Sequence, residues 1–177
     1  MTDVCGHGFA VVRVDIRGSG DSEGEYHGEY LAQEQADCMH VINWITEQSW
    51  CNGNVGMYGK SWGGFNALQM ASLRPSPLKS IVSLYSTDDR YATDVHYQGG
   101  AIVAYQMLSW SSVMFSYDAR PPNPNTIRGR QEGEEYIATV ARVRDAWRTR
   151  LDASNGPSVA DWMAHPLRDE FWQHGSA

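Results

Sequence analysis

The residues with the most chemical content are Gly59-Lys60-Ser61-Trp62-Gly63, a G-x-S-x-G pattern. A serine hydroxyl is a weak nucleophile unless it is held exposed and beside a base. A tight turn from strand to helix does the first of these, lifting Ser61 off the edge of a sheet. Gly59 and Gly63 let neighbouring backbone pass without a Cβ clash, and Gly64 extends the small-residue surface so that the helix can approach the sheet. The turn also sets the backbone N–H of Trp62 at a helix N-terminus, aimed at a developing oxyanion. The bland alternative is a chance match at three fixed positions, so the flanking elements decide the reading. Two glycine-based competitors fail on spacing. A P-loop ending in Gly59-Lys60-Ser61 needs glycine where Asn54 stands, and its loop would occupy residues read below as strand. A dinucleotide fingerprint starting from Gly18 and Gly20 needs its third glycine at Glu23, and no helix opens there.

The elements around the motif supply the required context. Asn54-Val55-Gly56-Met57-Tyr58 reads as a short strand, and Trp62 to Leu73 as a helix apolar nearly all round, ended by Pro75 and Pro77. Phe9-Ala10-Val11-Val12-Arg13-Val14-Asp15 is expected to be an earlier buried strand, and Lys79 to Tyr85 a later one. Residues 30–48 read as a helix whose apolar face carries Cys38, Val41, Ile42 and Ile45. Strand–helix–strand–helix–strand alternation implies an α/β fold with about three parallel strands. Beyond residue 95 the segments 100–115, 134–151 and 158–173 all read as helices. The expected division is therefore an α/β core over residues 1–95 and a helical subdomain over residues 96–177.

Composition bounds the rest. Hydrophobic residues make up 42% and charged residues 20% of the 177-residue chain, which is ordinary globular usage and excludes disordered and fibrous classes. No apolar run approaches the ~20 residues of a membrane span, and Met1-Thr2-Asp3-Val4 lacks the basic start and apolar stretch of a signal peptide. Fourteen basic against 21 acidic residues, a formal charge of -7, argue against nucleic acid as a partner. The three cysteines Cys5, Cys38 and Cys51 form no C-x-x-C pair, so neither a disulfide framework nor a zinc site is indicated and a cytoplasmic location is the default.

Four stretches carry a family resemblance. These are Val12 to Gly24, Trp50 to Gly64, Asp88-Asp89-Arg90-Tyr91, and the terminal set Trp162, His165-Pro166, Asp169 and Phe171-Trp172. Together they make the chain similar to the Xaa-Pro dipeptidyl-peptidase-like and cocaine-esterase-like (CocE/NonD) hydrolases, which have the α/β-hydrolase fold. The resemblance implies a partial α/β-hydrolase sheet followed by a helical cap. It makes Ser61 the acyl-enzyme nucleophile and the Trp62 N–H one oxyanion donor. It implies a small ester or peptide substrate and no metal or organic cofactor. In this family the acid and the histidine follow the serine, after the cap. They are expected beyond residue 177, as a second oxyanion donor is expected before the first strand. The chain alone would then be inactive or weakly active, with self-association through surface exposed by truncation. The alternative is a non-catalytic fragment that acts as a binding or assembly module.

The other clusters have structural explanations. Asp88 or Asp89 with His96, His165 or His174 would satisfy the triad order, but a polar cluster at a strand end is the better reading. His165, preceding Pro166, reads as a helix end. Arg142, Arg144, Arg148 and Arg150 read as a solvated face, opposite a face of Tyr136, Val140, Val143, Trp147 and Leu151, with Glu134 and Glu135 at the helix start. Trp110, Phe115, Trp147, Trp162 and Trp172 are expected to pack the cap core, some of them lining an acyl pocket.

Overall fold

The computed structural model describes residues 2–123, 136–154 and 156–177. The chain divides into two compact units, one of residues 1–14, 30–94 and 168–177, the other of residues 15–29 and 95–167. No helix among the described residues is long and apolar enough to cross a membrane.

The first unit opens with a short helix, α1 (Thr2–Gly6), and is built on α2 (Ala32–Thr46), β1 (Val55–Lys60), α3 (Trp62–Leu73) and β2 (Leu78–Leu84). The two strands pair in parallel, Val55 opposite Leu78 and Lys60 opposite Leu84, with one irregularity between Val55 and Gly56. Val55, Met57 and Gly59 turn inward while Gly56, Tyr58 and Lys60 face out, the alternation a half-buried strand requires. The helix periodicity meets the strand periodicity in one core: Ile42 of α2, Val55 of β1 and Met70 of α3, flanked by Cys38, Ile45, Met57 and Leu78. Burying Ile42, Val55 and Met70 is worth about 1.5–3 kcal/mol each. Arg74 ends α3 in the left-handed conformation, just before Pro75. The final helix of the chain, α7 (Glu170–His174), is capped by the Asp169 carboxylate, which accepts the Phe171 N–H at 3.1 Å. Beside it the Arg90 guanidinium, 2% exposed, lies 4.4 Å from the Tyr30 ring centroid and 5.1 Å from that of Trp172.

The α/β class stands, with two parallel strands where three were expected. Phe9–Asp15 forms no strand, and Phe9, Val11, Val12 and Val14 are exposed. A strand exists through its neighbour's hydrogen bonds, and neither β1 nor β2 pairs with this segment.

The second unit contains a small antiparallel pair, β3 (Tyr97–Gln98) and β4 (Ala101–Ile102), then α4 (Ala104–Asp118), α5 (Tyr136–Ala153) and α6 (Val159–Ala164). Gly99 and Gly100 turn the hairpin with φ of 57° and 79°, a pair of positive angles that side-chain-bearing residues resist. This hairpin occupies the start of the segment expected to be helical from residue 100. The helix expected over 158–173 is two helices, because Pro166 cannot continue α6 and His165 leaves helical geometry before it.

Buried side chains of the second unit include His96, Tyr97, Met107, Ser111, Thr139 and Trp162. Of the aromatic residues expected to pack a cap core, Trp162 is buried and Trp110 half-buried, whereas Phe115 and Trp147 are 37% and 38% exposed. Trp172 is fully buried, but in the first unit against Arg90. Arg142, Arg144 and Arg148 are solvated as expected; Arg150 is not. Its guanidinium donates to the carbonyls of Arg120, Gly20 and Ser22 at 3.1, 3.0 and 2.8 Å. Burial pulls its pKa down, opposed by Asp21 and Asp15. A buried guanidinium with three carbonyl acceptors holds the glycine-rich loop in shape. On the opposite face Val143 is buried while Val140 and Leu151 are exposed. Glu134, Glu135 and the Tyr136 side chain lie outside the described residues.

Candidate functional site

The G-x-S-x-G segment is the junction of β1 and α3. The Ser61 N–H extends the β ladder by donating to the Leu84 carbonyl at 2.7 Å. The Ser61 carbonyl then accepts from Gly64 and Phe65 at 2.7 and 3.0 Å, which starts the helix. One residue thus ends a strand and begins a helix, and its backbone takes up the whole change of direction. Ser61 adopts φ 54°, ψ −121°, a region that glycine tolerates and other residues rarely enter. Its side chain is exposed.

The neighbouring glycines make the turn sterically possible, each differently. A Cβ on Gly59 would collide with the Gly63 carbonyl and lie 2.7 Å from the Gly63 Cα. A Cβ on Gly64 would lie 2.9 Å from the Leu84 carbonyl oxygen and 2.7 Å from the Ser86 hydroxyl. Gly63 itself faces open space. Gly59 and Gly64 therefore allow close approach of backbone, and Gly63 leaves room beside the serine.

Trp62 is the first residue of α3, where the i→i−4 ladder provides no acceptor for its N–H. Its indole N–H donates to Glu34 Oε1 at 2.6 Å, and the Asn66 amide donates to the same oxygen at 2.9 Å. The Tyr30 ring lies against both Trp62 and Phe65, at 5.6 and 4.9 Å between centroids. Lys60 points outward, its ammonium 5.2 Å from the Tyr85 ring. Residues 55–60 form a strand, so no phosphate-cradling loop exists there.

The acid and histidine candidates have other contacts. Asp89 accepts the N–H groups of Tyr91 and Ala92 and pairs with Arg168 at 3.1 Å. Its pKa is lowered, the two N–H groups and Arg168 outweighing a burial effect of opposite sign. The Asp88 carbonyl accepts from Ala177, and His174 lies in the last turn of α7. His165 terminates α6. His96 is buried in the second unit, edge-on to Trp162 and 3.4 Å from Glu29. Among the described residues of its own unit, no carboxylate or imidazole hydrogen-bonds the Ser61 hydroxyl. No group of three or more His, Cys, Asp and Glu among the described residues could hold a metal. Glu34 was not singled out from sequence; its only signal there is a carboxylate in the first turn of the helix that precedes the motif.

Comparison with known proteins bears on this geometry. Residues 2–177 match the family model for X-Pro dipeptidyl-peptidase (S15 family). The chain is 33% identical to cocaine esterase of Rhodococcus sp. over 94% of its own length and 30% of the esterase. It is 30% identical, over 64% of its length and 19% of the other, to a Streptomyces avermitilis protein provisionally named as an Xaa-Pro dipeptidyl-peptidase. A solved CocE/NonD family hydrolase from Staphylococcus aureus superposes with a TM-score of 0.62 at 24% identity, covering 91% of this chain and 23% of that one. The fold is therefore shared with that hydrolase, and the chain spans less than a third of the length of each of these three proteins. With a match along essentially its whole length, the chain belongs to the X-Pro dipeptidyl-peptidase (S15) family.

Proposed function

We propose that Ser61 is the nucleophile of a serine hydrolase that cleaves ester or peptide bonds through an acyl-enzyme. The observation that supports this most is the exposed hydroxyl on a residue held at φ 54°, ψ −121° between β1 and α3. A backbone angle this unfavourable persists only where the surrounding structure imposes it, and such angles cluster at functional sites.

In the reaction, Ser61 Oγ attacks the carbonyl carbon and its proton passes to a general base. The carbonyl π electrons move onto oxygen, and the Trp62 N–H stabilises that oxyanion at the start of α3. The tetrahedral species collapses, and the alcohol or amine leaves with the proton returned by the base. Water then attacks the acyl-serine by the same steps and releases the acid. The open space beside Gly63 leaves room for the acyl group. On this reading the base and its carboxylate come from outside residues 1–177, because Asp89, His96 and His165 already hold a turn, a packed core and a helix end. The relatives' names divide between esterase and dipeptidyl-peptidase, and the proposal covers both.

The test is labelling by a fluorophosphonate probe of a protein of the relatives' length that contains this chain. Labelling that disappears in Ser61→Ala supports the assignment. Labelling of equal strength in that variant overturns it.

A further inference from the structure

Three hydrogen-bond donors, one from the turn ahead of α2 and two from α3, converge on the carboxylate of Glu34. Oε2 accepts the Tyr30 N–H at 2.8 Å, just ahead of α2. Oε1 accepts the Trp62 indole N–H at 2.6 Å and the Asn66 amide at 2.9 Å. Trp62 and Asn66 lie four residues apart, one turn of α3, so the carboxylate grips that first turn at two points. Its third contact fixes the backbone just ahead of α2, at Tyr30, which itself has φ 59° and packs its ring at a tilt against Trp62 and Phe65. Ordinary core packing does not need this arrangement, since the core of the unit lies around Ile42, Val55 and Met70. A charged acceptor with three donors is short, directional and hard to displace.

We propose that Glu34 is a positioning residue for the hydrolytic site: it fixes the first turn of α3, and with it the direction of the Trp62 backbone N–H beside Ser61. This rests on the reading of Ser61 and Trp62 given above. The Cys38 thiol, one turn along α2, has its pKa pushed up to about 11 by burial and, second, by the nearby Glu34 charge. Glu34 touches no reacting atom. Its effect passes through Trp62 and Asn66 to the oxyanion donor, whose outright loss in such sites lowers kcat by about 100- to 1,000-fold.

Two readouts separate this inference from the assignment of Ser61. In isotope-labelled protein, Glu34→Gln keeps the shape of the side chain but offers one acceptor oxygen in place of two. The Trp62 indole resonance should shift and its backbone N–H should exchange roughly 10-fold faster, with the fold retained by far-UV circular dichroism. In turnover of an activated ester by a relatives-length protein, Glu34→Gln should lower kcat about 10-fold while KM moves less than about twofold, as expected for a contact felt in the transition state. Trp62→Phe, which removes the indole N–H, should lower kcat similarly, and the double variant should lose little more than either single one. An unperturbed Trp62 N–H in Glu34→Gln overturns the positioning role whether or not Ser61 is reactive. Losses that multiply in the double variant also overturn it. Labelling of equal strength in Ser61→Ala, together with a clearly perturbed Trp62 N–H in Glu34→Gln, would overturn the nucleophile assignment and leave the local clamp intact.

Discussion

The two motif glycines should respond to the same substitution in opposite directions. A methyl group on Gly59 would lie 2.7 Å from the Gly63 Cα and closer still to the Gly63 carbonyl, whereas carbon atoms pack best at about 3.5–4.0 Å. The colliding atoms belong to the backbone of the first turn of α3, so no rotamer change relieves the clash. Overpacking usually destabilises by about 1–3 kcal/mol when side chains can adjust, and here the upper end is expected. In a domain of this size about 1 kcal/mol moves Tm by about 2–4 °C, so Gly59→Ala should melt roughly 6–12 °C below the parent protein. Gly63 is the internal control. A Cβ there meets nothing within 4 Å, and alanine exceeds glycine in a helix by up to about 1 kcal/mol. Gly63→Ala should therefore melt at or slightly above the parent temperature. Thermal unfolding followed by far-UV circular dichroism measures both. The steric account is refuted if Gly59→Ala melts with the parent protein, or if Gly63→Ala is the more damaging change.

Other consequences concern both units. Arg150→Met keeps the unbranched apolar stem but leaves the carbonyls of Gly20, Ser22 and Arg120 without their charged donor; it should destabilise by about 2–4 kcal/mol in denaturant unfolding and speed hydrogen exchange in the loop. Burial, with the Glu29 charge second, pushes the Asp118 carboxyl up to about 6. The folded state then binds that proton more tightly than the unfolded chain, so this group's contribution favours folding below about pH 4 and is lost as pH rises through about 6. Because the carboxyl is partly solvated, the loss should be only about 1 kcal/mol, and Asp118→Asn should remove it from urea titrations across that range. The raised Cys38 pKa predicts that iodoacetamide alkylates the exposed Cys5 well before Cys38, and that Glu34→Gln speeds the Cys38 reaction.

The parts of the fold that could be read from sequence are those fixed by local pattern. The apolar face of α2 falls where spacing of three and four places it, and β1 alternates as a half-buried strand must. The turn at Ser61 was legible because its glycines and its flanking elements are contiguous in sequence. Properties that depend on distant partners were not. Phe9–Asp15 has the composition of a strand but finds no ladder, and Arg150 has the spacing of a solvated arginine but reaches carbonyls some 130 residues away. The hairpin at Gly99-Gly100 did carry a local signal, paired glycines, which was absorbed into the start of a helix. Glu34 lies 28 residues from Trp62, and nothing in the spacing marks the two as partners.

The backbone of the Ser61 turn is held by main-chain hydrogen bonds to β2 and within α3, so presentation of the hydroxyl is independent of whatever activates it. That independence gives a thermodynamic test of the strain itself. Holding a non-glycine residue in such a region costs about 1–3 kcal/mol. Glycine would relieve most of this, at an entropic cost of about 0.5–1 kcal/mol on folding. Ser61→Gly should therefore be more stable than the parent protein by about 1 kcal/mol, a rise of roughly 2–4 °C in Tm. Ser61→Ala keeps its Cβ and therefore its strain, and should melt close to the parent temperature. If Ser61→Gly melts below Ser61→Ala, position 61 stores no strain. The backbone angle would then lose its standing as the feature that sets this serine apart from the other exposed serines of the chain.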